Sequence, residues 1–150
     1  MNFYFLKEDL DELNKKISEL MEELNKFTLE IGKDYQEDRG IFTFEEGERQ
    51  KQMMSRRLQE LIQIRNNAVI ATPNGCLKEV GFGRRVTFED KETSEVFKYK
   101  IGSYMVFFEN DNVISYEAPL ARLLVGSKVG DVKEGLIGSK KRIFQILNIE

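Results

Sequence analysis

Three carboxylates fall within five positions of one polar run, Lys33-Asp-Tyr-Gln-Glu-Asp-Arg39: Asp34, Glu37 and Asp38. Hard divalent cations take oxygen ligands, and Mg²⁺ is commonly held by one or two carboxylates while phosphates and waters fill the rest of its shell. Delivery of such a cation is one chemistry open to these residues; a solvated acidic turn is the other. Cations gather nearby at Lys33, Arg39, Arg49 and Arg56, with Lys51 and Arg57 beside them. On a helix they could simply pair with Glu45, Glu46 and Glu48. Other chemistries are closed by what the chain lacks. It has no His and a single cysteine, Cys76, so a Cys/His zinc site is excluded and most nucleophilic triads have no base. Gly81-Phe-Gly83-Arg-Arg85 looks like a phosphate loop but reads better as a strand edge with bulge glycines.

The acidic run must be placed by the elements that flank it. Upstream, Leu6, Leu10, Leu13, Ile17, Leu20, Leu24, Phe27 and Ile31 follow steps of four and three. That is a heptad seam on a long helix packed along another helix. Downstream, Met54, Leu58 and Leu61 keep the same steps, with Ile62, Ile64 and Ala68 beside them. Traced back, the register meets Lys51, Gly47 and Phe44, which predicts loose packing near the turn. Two such helices joined by a short link lie antiparallel. The pattern therefore predicts a coiled-coil hairpin over residues 1–72, with residues 33–45 at its tip and Thr72-Pro73 ending the second helix.

From Pro73 the composition changes. Residues 1–72 hold no Pro and three Gly; residues 73–150 hold eight Gly and β-type patterning. Strands are predicted at Val80–Phe82, Arg85–Phe88, Val96–Ile101, Tyr104–Phe108 and Arg142–Ile149, with turns at Asp90–Ser94 and Asn110–Asn112. Pro119 should open a short helix and Gly126 close it. The fold expected for residues 73–150 is a small, curved antiparallel sheet carrying one short helix, which makes the whole chain α+β.

The totals narrow the setting. At 150 residues with 41% hydrophobic and 33% charged residues, the chain fits one or two small domains. No apolar run approaches the ~20 residues of a membrane span, and the start lacks the basic and apolar blocks of a signal peptide. With a lone cysteine, this predicts a cytoplasmic protein. A net charge of −3 argues against binding nucleic acid through the whole surface.

Ile114-Ser-Tyr-Glu-Ala-Pro-Leu-Ala-Arg-Leu-Leu-Val-Gly-Ser-Lys-Val-Gly-Asp131 resembles the signature of the C-terminal domain of the bacterial Gre transcription elongation factors. Val80-Gly-Phe-Gly83 with Val86-Thr-Phe-Glu-Asp90 is similar to that domain's opening. Arg57-Leu-Gln-Glu-Leu61 and Asn67-Ala68 resemble the end of the family's second coiled-coil helix. The resemblance implies an FKBP-like C-terminal domain that docks on the rim of the RNA polymerase secondary channel through Ile114, Ser115, Pro119, Leu120, Ala121, Arg122, Leu124 and Gly126. It implies that the hairpin enters the channel, where tip acids help the polymerase cut backtracked RNA. Asp34, Glu37 and Asp38 would take that catalytic role. Glu37 and Asp38 would share a second Mg²⁺ with the polymerase, because two metals can stabilise attacking and leaving oxygens together. Lys33, Arg39, Arg49 and Arg56 would form a basic patch near the nascent RNA 3′ end.

The resemblance also implies a monomer with no active site and no tightly bound cofactor of its own, Mg²⁺ being held only in the polymerase complex. One stretch departs from the pattern. Where the family reads Gly-Asp-Leu-x-Glu-Asn-Ala-Glu-Tyr, this chain has Gln36-Glu-Asp-Arg-Gly-Ile-Phe-Thr-Phe44, so the second acid falls on Gly40. Ala118 also replaces the usual Ser before Pro. Three alternatives follow: a channel binder that inhibits rather than stimulates, a prolyl isomerase with Phe82, Phe88, Phe97 and Tyr104 lining its pocket, or a plain coiled-coil dimer.

Overall fold

The computed structural model describes the chain except residues 37–40, 74, 76–77 and 107–111 and the side chains of 34–36 and 41–43. The chain forms two compact units. One comprises Met1–Asn2 and Leu10–Ala68, the other Phe3–Asp9 and Val69–Glu150.

The first unit is built on two helices, α1 (Lys7–Gln36) and α2 (Ile41–Asn66). At about 1.5 Å per residue, α1 is about 45 Å long. Every position of the predicted seam is buried or half-buried, from Leu10 through Ile31 on α1 and from Phe44 through Leu61 on α2. Exposed i,i+4 pairs such as Lys26–Glu22 and Lys15–Glu19 line the wet side. The helices pass through ground the sequence marked as a turn. α1 continues across Gly32 to Gln36, since one helical glycine costs only about 1 kcal/mol.

Packing near the helix link is close rather than loose. A Cβ on Gly47 would lie 2.9 Å from Ile31 Cγ1. Ile31 precedes the link by about as many residues as Gly47 follows it, so the helices run antiparallel. Glycine is what lets them approach here. Gly47→Val is expected to lower stability by about 1–3 kcal/mol, through overpacking against a stiff β-branched neighbour. Gly47→Ala should change it far less, because its helix propensity offsets the clash. Thermal melts followed at 222 nm distinguish the two outcomes.

β1 (Phe3–Phe5) pairs with β2 (Ala68–Ile70), and all of this pair but Ala68 belongs to the second unit. The second helix therefore ends at Asn66, six residues before the predicted stop at Thr72-Pro73, and a strand intervenes. The five-stranded sheet comprises β3 (Arg85–Asp90), β4 (Val96–Gly102), β5 (Val113–Ser115), β6 (Val132–Ile137) and β7 (Lys140–Ile149), in the order β5-β4-β3-β7-β6. All neighbours are antiparallel except β4 and β5, which run parallel. A register shift between Thr87 and Phe88 bends β3 against β7; such irregularities curl a sheet.

Val86, Phe88, Ile101, Phe144, Ile146 and Ile149 alternate inward and close over α3 (Pro119–Leu124), which contributes Ala121 and Leu124 to the core. Among the described residues, two predicted strands do not form. Val80–Phe82 is a loop whose backbone is used elsewhere: Val80 N donates to Ser127 O at 2.9 Å, and Val80 O accepts from Gly126 N at 2.8 Å. Tyr104–Val106 is irregular, with Tyr104 N donating to Tyr4 O at 2.9 Å; the remainder of that expected strand lies outside the described residues.

Candidate functional site

The predicted tip acids fall largely outside the described residues: Glu37 and Asp38 entirely, and Asp34 in its side chain. Arg39, Gly40 and Cys76 lie there as well. α1 ends at Gln36 and α2 begins at Ile41. Among the described residues no group of three His, Cys, Asp or Glu could hold a metal ion. Lys33 is exposed in the last turn of α1, where a cation is favoured by the helix dipole. Arg49 pairs with Glu46 at 3.4 Å, three residues away rather than four. Arg56 is exposed and lines a polar groove of about 400 Å³ along α2 with Lys51, Gln52, Ser55 and Gln59.

The eight predicted docking residues are all described, and they divide by burial. Ala121 and Leu124 are fully buried and shape the core. Ile114, Ser115 and Leu120 are half-buried, while Pro119, Arg122 and Gly126 are exposed. Their placement follows from local chemistry. Ser115 Oγ donates to Tyr104 O at 2.9 Å and accepts from Glu117 N at 3.2 Å. That turn delivers the chain to Ala118, whose extended backbone precedes Pro119 and caps the helix with no side-chain hydrogen bond. Arg122 N reaches Ala118 O at 3.0 Å, and Val125 N reaches Ala121 O at 2.9 Å. Gly126 then leaves the helix at φ +85°, a conformation that favours glycine. Arg122 forms an ion pair with Glu117.

Beside α3 the unit holds a cavity of about 630 Å³. Its lining includes Arg122, Val125 and Gly126 from α3 and its exit, and the aromatic residues Tyr4, Phe82 and Tyr116. Phe82 and Tyr116 meet edge to face at 5.9 Å, as do Tyr4 and Tyr116. Tyr116 Oη accepts from Tyr4 N at 3.1 Å, and burial raises its hydroxyl above the ordinary tyrosine value. Val125, 47% exposed, stands at the rim. Sequence reasoning missed this aromatic lining, although the run Phe3-Tyr-Phe5 was its visible signal. Leu6 N donates to Ser103 Oγ at 2.8 Å, and Ser103 Oγ donates to Asp9 Oδ2 at 2.5 Å, so the start of α1 is tied to the residues after β4.

A second, smaller cavity is bordered by Leu120 of α3. Of the four residues expected to line a proline pocket, Phe88 and Phe97 do border it, joined by Tyr99 and Phe144. Phe82 faces the larger cavity, and Tyr104 packs on Phe3 at 4.4 Å. At the edge, buried Asp90 accepts from Glu92 N at 2.9 Å and from Arg142 Nη1 at 2.9 Å. The Glu92 N–H is the largest influence holding its carboxyl below the ordinary aspartate value of 3.8, with Thr93 N–H and Arg142 adding to it and desolvation opposing. A lowered folded value means this carboxylate stabilises the fold above pH 3.8 and that the contribution is lost as pH falls further. Asp90→Asn is thus expected to lower the melting temperature at neutral pH. The gap from wild type should narrow as pH falls below that value, in melts taken across the acid range.

A family profile described as "Transcription elongation factor, GreA/GreB, C-term" matches residues 73–150. That span contains α3, its serine turn and most residues of both cavities. The chain belongs to the GreA/GreB family. The transcription elongation factor GreA of Nautilia profundicola is 33% identical over 94 residues, covering 62% of this chain and 58% of that protein. GreA of Sulfurovum sp. is 29% identical over 148 residues, covering 93% of this chain and 91% of that protein. Among solved structures, the chain is similar to GreA factor homolog 1 (Gfh1) of Thermus thermophilus, at TM-score 0.46 and 22% identity over 100% of this chain and 99% of that one. No helix among the described residues is long and apolar enough to cross a membrane.

Proposed function

We propose that this Gre-family chain acts on RNA polymerase and has no active site of its own. Its C-terminal unit, FKBP-like in character, docks on the rim of the secondary channel through the exposed side of α3. Its helical hairpin enters the channel, and Asp34, Glu37 and Asp38 assist the polymerase in cutting backtracked RNA. Glu37 and Asp38 supply carboxylate oxygens suited to a Mg²⁺ shared with the polymerase. Lys33, Arg39, Arg49 and Arg56 lie toward the RNA 3′ end. The factor works as a cytoplasmic monomer. The observation that carries this reading is the family match over residues 73–150, together with a helix pair that has Asp34 near the end of its first helix and Glu37 and Asp38 in the sequence between the two.

A second reading has its own support. Gly40 stands where the family carries its second tip acid, and Ile41 and Phe42 follow it. On that reading the factor occupies the channel and inhibits. One experiment separates the two: cleavage of RNA in a reconstituted, backtracked elongation complex, wild type against Asp34→Ala, Glu37→Ala and Asp38→Ala at equal occupancy. Stimulation is expected to fall at least about tenfold for one or more variants, a loss of about 1.4 kcal/mol of transition-state stabilisation or greater. Binding with cleavage at the intrinsic rate selects the inhibitory reading. Arg122→Glu, exposed and outside the core, is expected to weaken polymerase binding; no binding by wild type overturns both readings.

A further inference from the structure

The five-stranded sheet ends in two strands of unequal length. β5 has three residues and β6 has six, Val132-Lys-Glu-Gly-Leu-Ile137. A long open edge invites a further strand, and proteins commonly blunt such edges with proline, a bulge or outward charge. β6 has no proline, and its register with β7 runs unbroken from Val132↔Gln145 to Ile137↔Lys140.

The direction of each backbone group in β6 follows from its pairing with β7. Ile146 N donates to Asp131 O at 2.9 Å, which makes those two a hydrogen-bonded pair. Such pairs alternate along an antiparallel ladder, so Lys133, Gly135 and Ile137 bond to β7. Val132, Glu134 and Leu136 turn their N–H and C=O groups to the open edge. Among the described residues, none of these three has a backbone hydrogen bond outside the sheet. Their side chains are exposed as well, Val132 at 56% and Leu136 at 70%, with Glu134 between them. α3 lies on the opposite face, where a Cβ on Gly135 would come within 3.0 Å of Leu123 Cδ1.

This edge is complementary to itself. A two-fold axis through Glu134 lays β6 antiparallel against a second β6. Val132 then faces the second copy's Leu136, Leu136 faces its Val132, and the two Glu134 residues meet at the axis. Each of these three pairs joins outward-directed backbones, so each exchanges two hydrogen bonds. A slip of two residues forfeits a pair, and a slip of one sets an outward backbone against an inward one. The valine–leucine pairs share one sheet face, at the ~5 Å separation where cross-strand side chains interact. Like charges at the axis are offset, because Glu134 is ion-paired with Lys141.

We propose that β6 pairs antiparallel with β6 of a second copy of this chain, joining the two sheets edge to edge. One strand pair buries less than the ~1,200 Å² of a standard interface. The association is therefore weak, with a Kd of about 100 µM, and at lower concentration the chain is the monomer proposed above. The inference rests on the sheet and stands apart from the polymerase reading.

The test is sedimentation velocity and ¹H–¹⁵N correlation spectra of the full chain, from about 10 µM to about 1 mM. Association is expected, with concentration-dependent shifts centred on the amides of Val132, Glu134 and Leu136. Leu136→Lys and Val132→Glu are each expected to weaken it at least about tenfold. An equal mixture of the two variants is expected to associate more tightly than either alone, because the register sets the two substituted positions opposite each other. Val96→Lys, at another exposed apolar position (59%) on β4, is expected to leave association unchanged. Should either β6 variant unfold, the wild-type shifts decide alone. A monomer at about 1 mM overturns the proposal and leaves the edge to an extended segment of another protein. Shifts centred elsewhere, or a mixture no tighter than its separate components, overturn it too.

Discussion

Phe88→Ala is expected to remove about 3–5 kcal/mol of stability, the usual cost of truncating a buried phenylalanine. Phe88 is 1% exposed and lies where three strands meet: it faces Phe97 on β4 and Ile146 on β7. Its ring stacks on Phe97 and Tyr99 and takes the edge of Phe144. Such aromatic pairs add about 0.5–1.5 kcal/mol beyond the area they bury. The surrounding sheet cannot collapse into the void, because a register shift beside Phe88 already fixes how β3 sits on β7. Against a total stability of about 5–15 kcal/mol for a domain, a loss of that size leaves little margin. Urea unfolding followed by far-UV circular dichroism measures it. A loss under about 1.5 kcal/mol, the range of a conservative core swap, would mean that these rings are not the centre of the core.

The helical half was legible because a heptad seam needs only spacing, and the same positions are the buried ones in α1 and α2. Gly47 was legible as a member of the seam but not as a contact: spacing records which residues face the partner helix, not how near that helix comes. In the second half, alternation located β3, β4 and β7. It failed at Val80–Phe82, where two apolar residues flank a glycine but the backbone hydrogen bonds go to the loop after α3. It also missed β1 and β2, each only three residues long, too short for a period-two signal to emerge.

The Ile114–Asp131 motif was legible as a motif, and the structure divides its residues by burial. Ala121 and Leu124 hold α3 to the core, while Pro119, Arg122 and Gly126 face outward. Nothing in a linear pattern distinguishes them without the helix's orientation. The aromatic lining of the cavity that Arg122 also borders comes from residues 4, 82 and 116, which only the fold brings together.

Gly83 shows the same limit and carries the other large effect. Its sequence context suggested a bulge glycine or a phosphate loop. In the structure it sits at φ +78°, and an added Cβ would lie 2.7 Å from Pro73 Cα and Cβ and 2.9 Å from Pro73 Cγ. Its N–H donates to Ile101 O at 2.7 Å, and Arg84 O accepts from Ile101 N at 2.9 Å. The segment is therefore pinned to β4 on one side and pressed by Pro73 on the other. Gly83→Ala incurs about 1–2 kcal/mol for the left-handed backbone and about 1–3 kcal/mol for overpacking against a rigid ring and main chain. Gly126→Ala is the natural comparison: φ is +85°, but nothing lies within 4 Å of the added carbon. It should show the backbone cost alone. Urea midpoints for both variants isolate the steric part as their difference. Equal losses would mean that Pro73 moves aside freely. A larger loss at Gly83 would mean that the chain leaving β2 is clamped against the loop carrying Gly81 and Phe82. Those two residues and Thr72 line the larger cavity. A side chain at Gly83 would then displace the neighbouring Phe82 and with it part of that cavity's aromatic lining.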